Sequence, residues 1–238
     1  ERLARSFQLS KRPGEIRKTR VHIGAGHRFN PPPPEHLSAL LGRLEKEMQA
    51  QTNIDPLVRA LMVHYQFETI HPFRDGNGRV GRLLLALMIY KGCGFDKPWL
   101  YLSEFFDRNR DDYIDDLFNV SAKGDWARWI KLGLFATIES GRGTIERIRQ
   151  IITLKENYEQ RIRKHGGRDR LMHFVPHLLN FPIIAYNDAM RVLGVTYPTA
   201  RADIEALISM QIVRELQGTK RPRLFIAHEI FHLAYFGV

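Results

Sequence analysis

The sequence is short of cysteine, of long apolar runs and of acidic charge. It has a single cysteine, Cys93, in 238 residues. That excludes an internal disulfide framework and any multi-cysteine zinc site. A reducing, cytoplasmic compartment is the simple expectation. The longest apolar run, Leu83 to Tyr90, is about half of the ~18 residues a membrane span needs, so no membrane association is expected. No signal or transit segment is recognisable. The chain opens on Glu1 rather than Met, so its natural start is expected upstream. There is no internal repeat, and the one low-complexity stretch is Pro31 to Pro34.

What is present points to a globular chain with a sizeable core. Hydrophobic residues make up 44%, charged residues 26% and aromatic residues 11%, values that exclude a disordered, collagen-like or coiled-coil chain. The length fits one or two domains. The net charge is +10, and it is uneven: residues 1–30 carry +6, residues 31–141 carry −2 and residues 142–238 carry +6. Basic ends can attract nucleic acid or another polyanion. On charge alone, a solvated surface is the better reading.

Turn signals at Pro13-Gly14 and Gly24-Ala25-Gly26 bracket a short hairpin, with Thr19 to Ile23 going out and Gly26 to Asn30 returning. A helix over 35–50 follows the prolines, with Leu37, Leu40, Leu41, Leu44 and Met48 on one face. Asp55-Pro56 starts the next helix, Asp as cap and Pro in the first position. Between Val63 and Thr69 the pattern also alternates as a strand would. Val80 to Tyr90 is apolar almost all round, which predicts a buried central helix. Further helices are expected over Ser103–Ala122, Trp126–Ser140 and Thr144–Lys164.

The chemistry is concentrated in His71-Pro72-Phe73-Arg74-Asp75-Gly76-Asn77-Gly78-Arg79-Val80-Gly81-Arg82. Three glycines in six residues let backbone N–H groups approach a ligand, and the turn opens into a helix whose N-terminus favours an anion. Arg79 and Arg82 sit three apart, on neighbouring positions of one helix face, and guanidinium forks suit phosphates. Asp75 is a hard oxygen ligand of the kind that holds Mg²⁺ together with phosphates. His71 can act as a base near neutral pH. Simpler readings compete. Gly76-x-Gly78-x-x-Gly81 also has the form of a dinucleotide fingerprint, but the Pro-capped helix ending at the turn and the shortage of later strands argue against it. His71 alone could be structural, and the arginines alone a plain basic face. Their convergence within twelve residues makes both of these weaker.

This segment resembles the signature of the Fic family, H-P-F-x-[D/E]-G-N-G-R-x-x-R, with every specified position filled. The resemblance extends over much of residues 13–135. Pro13 to Arg17, Val21 to Gly24 and the prolines at 31–34 resemble the family's lead-in and flap; Leu102-Ser103, Asn109-Arg110 and Gly124 to Trp126 resemble its later helices. It implies a mainly α fold, a helical core with a small hairpin flap, and transfer of AMP from ATP to a protein hydroxyl with Mg²⁺. His71 would deprotonate the target Ser, Thr or Tyr. Asp75 would hold Mg²⁺. Gly76, Asn77 and Gly78 would form the anion nest, with the Asn77 side chain on phosphate. Arg79 and Arg82 would take the β- and γ-phosphates. Val21, His22, Ile23 and Gly24, in a flap about 19–29, would hold the target by strand-like pairing. Tyr113 and Leu117 would contact adenine, with core packing an equal reading for both.

Phosphate-transferring relatives have Lys at the position of Gly78, so Gly78 favours AMP transfer; UMP or phosphocholine donors stay open. Many relatives carry an inhibitory [S/T]-x-x-x-E-[G/N] helix. Glu156-Asn157 alone ends correctly, and Ile152 stands where Ser or Thr belongs. The brake is expected upstream of Glu1, which would leave this chain more active than a longer form.

The expected organisation is a catalytic domain over 1–142, a linker helix over 143–167 and a winged helix over 168–238. In the last, Tyr186–Leu193 and Tyr197–Met210 flank a turn at Gly194-Val195, with Thr196 as cap and Ala200, Ile204 and Leu207 inward. Ile212–Leu216 and Arg223–Ile226 are the expected wing strands. Thr199 and Arg201 would face a DNA groove. Asp203 and Glu205 oppose that, and protein docking or a homodimer contact is the competing reading. A DNA-binding regulator that senses nucleotide without turnover is the alternative function; an intact His71 speaks against it.

Overall fold

Asp55 and Pro56 start the helix that carries the site. The Asp55 carboxylate accepts from the backbone N–H groups of Leu57 (2.9 Å) and Val58 (3.2 Å), donors that a helix start leaves without partners. Pro56 takes the first position, where a missing N–H costs nothing. The helix continues to Ile70. Its buried residues, Ala60, Leu61, Val63, His64, Phe67 and Ile70, recur at helical spacing, so the local alternation does not make a strand.

The computed structural model describes residues 14–24, 28–166, 169–218 and 222–235. The chain divides into two compact units, Glu1–Arg142 and Gly143–Val238. In the first unit a 3₁₀ turn, Pro34–His36, leads into α1 (Leu37–Gln49). Then come α2 (Pro56–Ile70), α3 (Asn77–Gly92), α4 (Ser103–Arg108) and α5 (Arg110–Lys123). A long helix, α6 (Trp126–Lys164), follows.

The middle helix is α2. On one side Val63, Phe67 and Ile70 pack with Leu37 and Leu44 of α1. On another, Ala60 and Leu61 pack with Leu85 and Ile89 of α3, Phe106 of α4 and Trp129 of α6. Trp129 is wholly buried, and its indole N–H donates to the Leu61 carbonyl at 3.1 Å. Gly133 makes this approach possible, because a Cβ there would come within 2.4 Å of Leu61.

Three expectations need correction. First, α3 is not buried all round: Leu85, Ala86 and Ile89 are buried, while Val80, Leu83 and Leu87 are 40%, 57% and 44% exposed. One face packs on α2, and the other looks outward. Second, Ser103–Ala122 is two helices. The chain leaves helical geometry at Asn109 (φ −111°, ψ 43°), whose side-chain amide donates to the Phe105 carbonyl at 2.9 Å. Third, Trp126 to Lys164 is one helix of 39 residues, running through Gly141 and Gly143. Glycine in a helix costs ~1 kcal/mol against Ala, which weakens a helix without ending it.

The second unit has α7 (Asp169–Asn180), β1 (Ile183–Ala185), α8 (Tyr186–Leu193), α9 (Tyr197–Ser209), β2 (Arg214–Glu215), β3 (Leu224–Ile226) and α10 (His228–Tyr235). The sheet is antiparallel in the order β1-β3-β2, with Ile184 opposite Phe225 and Glu215 also opposite Phe225. Ala200, Ile204 and Leu207 of α9 are fully buried, as expected. The strand β1 and the helix α10 were not foreseen. Asp203, fully buried, takes a two-pronged ion pair from Arg170 at 2.8 Å on both oxygens. It is a structural anchor of α9 rather than a surface acid. Among the described residues, no helix is long and apolar enough to cross a membrane.

Candidate active site

His71 stands one residue beyond α2, and its backbone is left-handed (φ 50°, ψ 60°). A residue with a Cβ pays about 1–2 kcal/mol for that conformation, so other contacts must hold it. Arg17 supplies them. Its guanidinium donates to the carbonyls of His71 (2.8 Å), Thr19 (3.1 Å) and Pro32 (2.5 Å), and its backbone N–H donates to Pro72 (2.9 Å). Arg17 is only 2% exposed. It therefore ties the lead-in, the proline run and the C-terminal end of α2 to one point, where a cation also suits the helix dipole.

The imidazole of His71 is set up as a base. Its Nδ1 lies 3.2 Å from the carbonyl oxygen of Glu68. A carbonyl can only accept, so Nδ1 carries the proton and Nε2 keeps a free lone pair. Burial, with the Arg17 charge as a smaller cause, pushes the His71 pKa below the ordinary 6.5. The ring is neutral at neutral pH.

The turn from Pro72 to Gly76 delivers the start of α3 next to this base. Gly76 has φ 85°, a glycine conformation, and caps the helix. Gly81 is required for another reason: a Cβ there would come within 2.1 Å of Glu68 Oε1 and 3.1 Å of Phe67. The Asn77 side chain is engaged within the turn. Its oxygen accepts from the Phe73 N–H (2.9 Å) and its amide donates to the Phe73 carbonyl (2.8 Å). It is 2% exposed and holds the turn shut. Its backbone stands at the first position of α3.

Both arginines have carboxylate neighbours. Arg79 lies 3.5 Å from Asp75, one turn back, and both are well exposed. Arg82 lies 3.7 Å from Asp107, and its charge acts on the Tyr113 hydroxyl. That hydroxyl donates onward to His64 Nε2 (2.9 Å), because His64 Nδ1 must donate to the Gly81 carbonyl (3.0 Å). The buried His64 has its pKa pushed down to about 4, chiefly by desolvation, so it stays neutral in this chain of contacts. Tyr113 is 7% exposed, with its hydroxyl already engaged. The core-packing reading of Tyr113 is thus the stronger one, although its ring also lines the adjoining cavity.

That cavity, about 130 Å³, reaches His71 and is lined by Ile23 and Gly24 of the flap and by Tyr113, Ile114 and Leu117 of α5. The structure therefore brings Tyr113, Leu117, Ile23, Gly24 and His71 to one place. Among the described residues the flap pairs by a single antiparallel bridge, Ile23 with Phe29 (2.9 and 3.1 Å), rather than a ladder from Thr19. Ala25, Gly26 and His27 lie outside the described residues. His22 Nδ1 is 2.6 Å from Asn30 Oδ1, which braces the two arms.

Asp75 offers the one carboxylate of the signature. It is largely exposed and also accepts from the Gly76 N–H at 2.7 Å. Among the described residues no three His, Cys, Asp or Glu side chains converge on a metal position. A single hard carboxylate fits an ion that arrives with phosphate oxygens and water, not a resident metal in a protein cage.

Sequence reasoning missed Arg17, His64 and Glu68 as parts of this site. Only Glu68 had a readable signal, since three residues before His71 places it on the same side of α2.

Comparison with known proteins agrees with the geometry. A family model, the Fic/DOC family, matches residues 2–89. A probable protein adenylyltransferase of Aquifex aeolicus is 36% identical over 118 residues, which is 49% of this chain and 33% of that protein. The protein adenylyltransferase Fic of Culex quinquefasciatus is 42% identical over 114 residues, 47% of this chain and 21% of that one. The chain thus spans a third or less of the length of these relatives. The crystal structure of a Fic family protein from Desulfovibrio desulfuricans matches with a TM-score of 0.54 at 22% identity, covering 93% of this chain and 64% of that one, a likeness of fold. Residues 2–89 thus match the Fic/DOC family model, with the whole signature in place at residues 71–82.

Proposed function

We propose that this chain transfers the AMP of ATP to a hydroxyl of a target protein, releasing pyrophosphate. The observation that carries this reading is the His71 ring: neutral, with its proton held on Nδ1 and Nε2 free, beside a glycine-rich helix start and two arginines. Nε2 would take the proton of a Ser, Thr or Tyr hydroxyl as its oxygen attacks the α-phosphorus. The bond from that phosphorus to the bridging oxygen breaks, and pyrophosphate leaves. The backbone N–H groups at the start of α3, with Arg79 and Arg82, would meet the charge that builds on the phosphates. Mg²⁺, held by Asp75 with the phosphates, would neutralise part of the same charge. The flap, residues 21–24, would hold a target segment by strand-like pairing beside His71. The absence of Lys at Gly78 favours transfer of AMP over phosphate. The relatives named as protein adenylyltransferases support the same reaction class.

The second unit supports a winged-helix reading: α8, a turn at Gly194 (φ 64°), α9, then the β2 and β3 strands with β1 alongside. Two of its described arginines on the side expected to face DNA are engaged with acids. Arg201 is paired with Glu205 on α9 at 2.8 Å, and Arg223 with Glu215 across β2 and β3. Carboxylates at those places repel phosphate, so this unit is assigned to protein docking, with a homodimer as one form of it.

The test is mass spectrometry of a cytosolic lysate incubated with the chain, ATP and Mg²⁺. AMP on Ser, Thr or Tyr, absent with His71→Ala, supports the reading. Unmodified hydroxyls under conditions where the chain binds ATP would contradict it.

A further inference from the structure

The cavity beside His71 has nearly continuous apolar walls: Ile23, Phe29, Ile114, Leu117 and Phe118 all contribute. Such walls suit the faces of a flat heterocycle. One side chain breaks the pattern. Glu68 is the only acid among the described lining residues, and its Oε1 is buried without a hydrogen-bond partner. It stands at the wall between the cavity and α3, with Oε1 packed against Gly81. A buried acceptor left unpaired costs about 1–3 kcal/mol, a cost relieved if the carboxylate turns from Gly81 to accept a ligand's N–H in the cavity.

We propose that Glu68 is the base-reading residue of this site: its carboxylate accepts a hydrogen bond from the exocyclic amine of the bound nucleobase and so selects a 6-amino purine over a 6-oxo purine. The inference rests on the nucleotide-transfer reading above. An ionised carboxylate only accepts, so it rewards an amine and repels a carbonyl. A protonated carboxyl donates and loses that preference. Burial pushes the Glu68 pKa up to about 7, against a smaller pull from Arg82. The groups around it are Arg82 from α3, Tyr113 from α5, Arg28 from the flap arm and His71 at the end of its own helix. Arg28 is itself paired with Asp115 and lies over the Phe118 ring. Arg82 is therefore the cation that sets how far Glu68 ionises. Selectivity for the amine should rise with pH through about 7.

The experiment measures kcat/KM for ATP and for inosine triphosphate, from about pH 6 to about pH 8.5, in the full chain and in Glu68→Gln. The amide is nearly isosteric and can either donate or accept, and a thermal melt of each protein reports its fold. The expected result is a preference for ATP of ~10-fold or more in the parent chain, rising with pH, that shrinks to within ~3-fold and loses its pH dependence in Glu68→Gln. An unchanged ratio in the variant would overturn the inference while leaving the transfer reading intact. Should neither triphosphate support transfer, calorimetric Kd values for the two nucleotides decide. A preference for ATP that Glu68→Gln abolishes keeps the inference and sinks the transfer reading; equal affinities, or no binding of either, overturn the inference.

Discussion

Arg17 and His71 are 54 positions apart, and the Arg17 guanidinium donates to the His71 carbonyl at 2.8 Å. Through this bond the segment before the flap fixes the left-handed backbone that aims the His71 ring. The same guanidinium also holds Thr19 and Pro32, so the flap's two ends and the base share one anchor.

Arg17→Ala should therefore cost activity out of proportion to its distance from any phosphate. The carbonyls of His71, Thr19, Pro32 and Ile70 would lose a donor, which destabilises the chain by about 1–3 kcal/mol per buried orphan at most. A base displaced by an ångström loses on the order of 10² in rate. The expected outcome is a kcat lowered ~10²-fold with KM for ATP little changed, read from initial rates beside a thermal melt. Arg17→Lys should not restore it, because an ammonium cannot span the same carbonyls. Full activity in Arg17→Ala would remove the anchor from the account.

The pH dependence of the rate follows from His71. Its pKa lies below the ordinary 6.5 because burial disfavours the cation. The rate should rise with pH on the acid side and reach its plateau before neutrality. A profile of kcat at saturating ATP that is still climbing above pH 7 would contradict the neutral, Nδ1-protonated ring.

His64 predicts a pH dependence of stability. Its pKa is about 4 in the folded chain against an ordinary 6.5. Between those values the unfolded state binds more protons, so stability falls as the pH falls through that window, by ~3 kcal/mol when it is complete. Urea unfolding at neutral pH and at pH 5 and below measures this. His64→Phe should flatten that part of the curve. Glu68 has the opposite sign: its pKa is raised to about 7, so the stability it contributes is lost as pH rises through that value. Glu68→Gln should accordingly raise the melting temperature at pH 8 and change it little at pH 5.

Two glycine substitutions should differ in sign. Gly81→Ala places a Cβ 2.1 Å from Glu68 Oε1 and 3.1 Å from Phe67, where α2 and α3 meet, and should destabilise by about 1–3 kcal/mol. Gly141→Ala meets nothing within 4 Å in the middle of α6 and should stabilise by ~1 kcal/mol. Thermal melts distinguish the two. Loss of stability in Gly141→Ala would mean that α6 is not continuous there.

The start of α2, the Gly-rich opening of α3 and the two short helices of the second unit were legible because each is written in local chemistry. Asp55-Pro56 is a cap, Gly76 is a left-handed position, and Gly194 is a turn. What the sequence concealed depended on partners far along the chain. The exposed face of α3 could not be read from its apolar composition, since exposure depends on which neighbours cover it. Gly141 and Gly143 look like a break, yet nothing local forces one. The Asn77 side chain is drawn to Phe73 by the shape of the turn. Arg17 is one of many arginines in a basic lead-in, and only the folded chain shows it buried among carbonyls. The signature residues stand in one continuous segment that can be read locally, whereas Arg17, His64 and Glu68 meet them only in the folded chain.

The central claim is that His71 drives transfer of the α-phosphoryl group with its nucleoside. The direct measurement uses ATP labelled separately on the α- and γ-phosphates, with Mg²⁺ and target proteins, comparing the chain with His71→Ala. The account predicts α-label on protein, γ-label recovered only in pyrophosphate, and neither on protein with His71→Ala. Protein carrying the γ-label, or α-label that persists without His71, would contradict it.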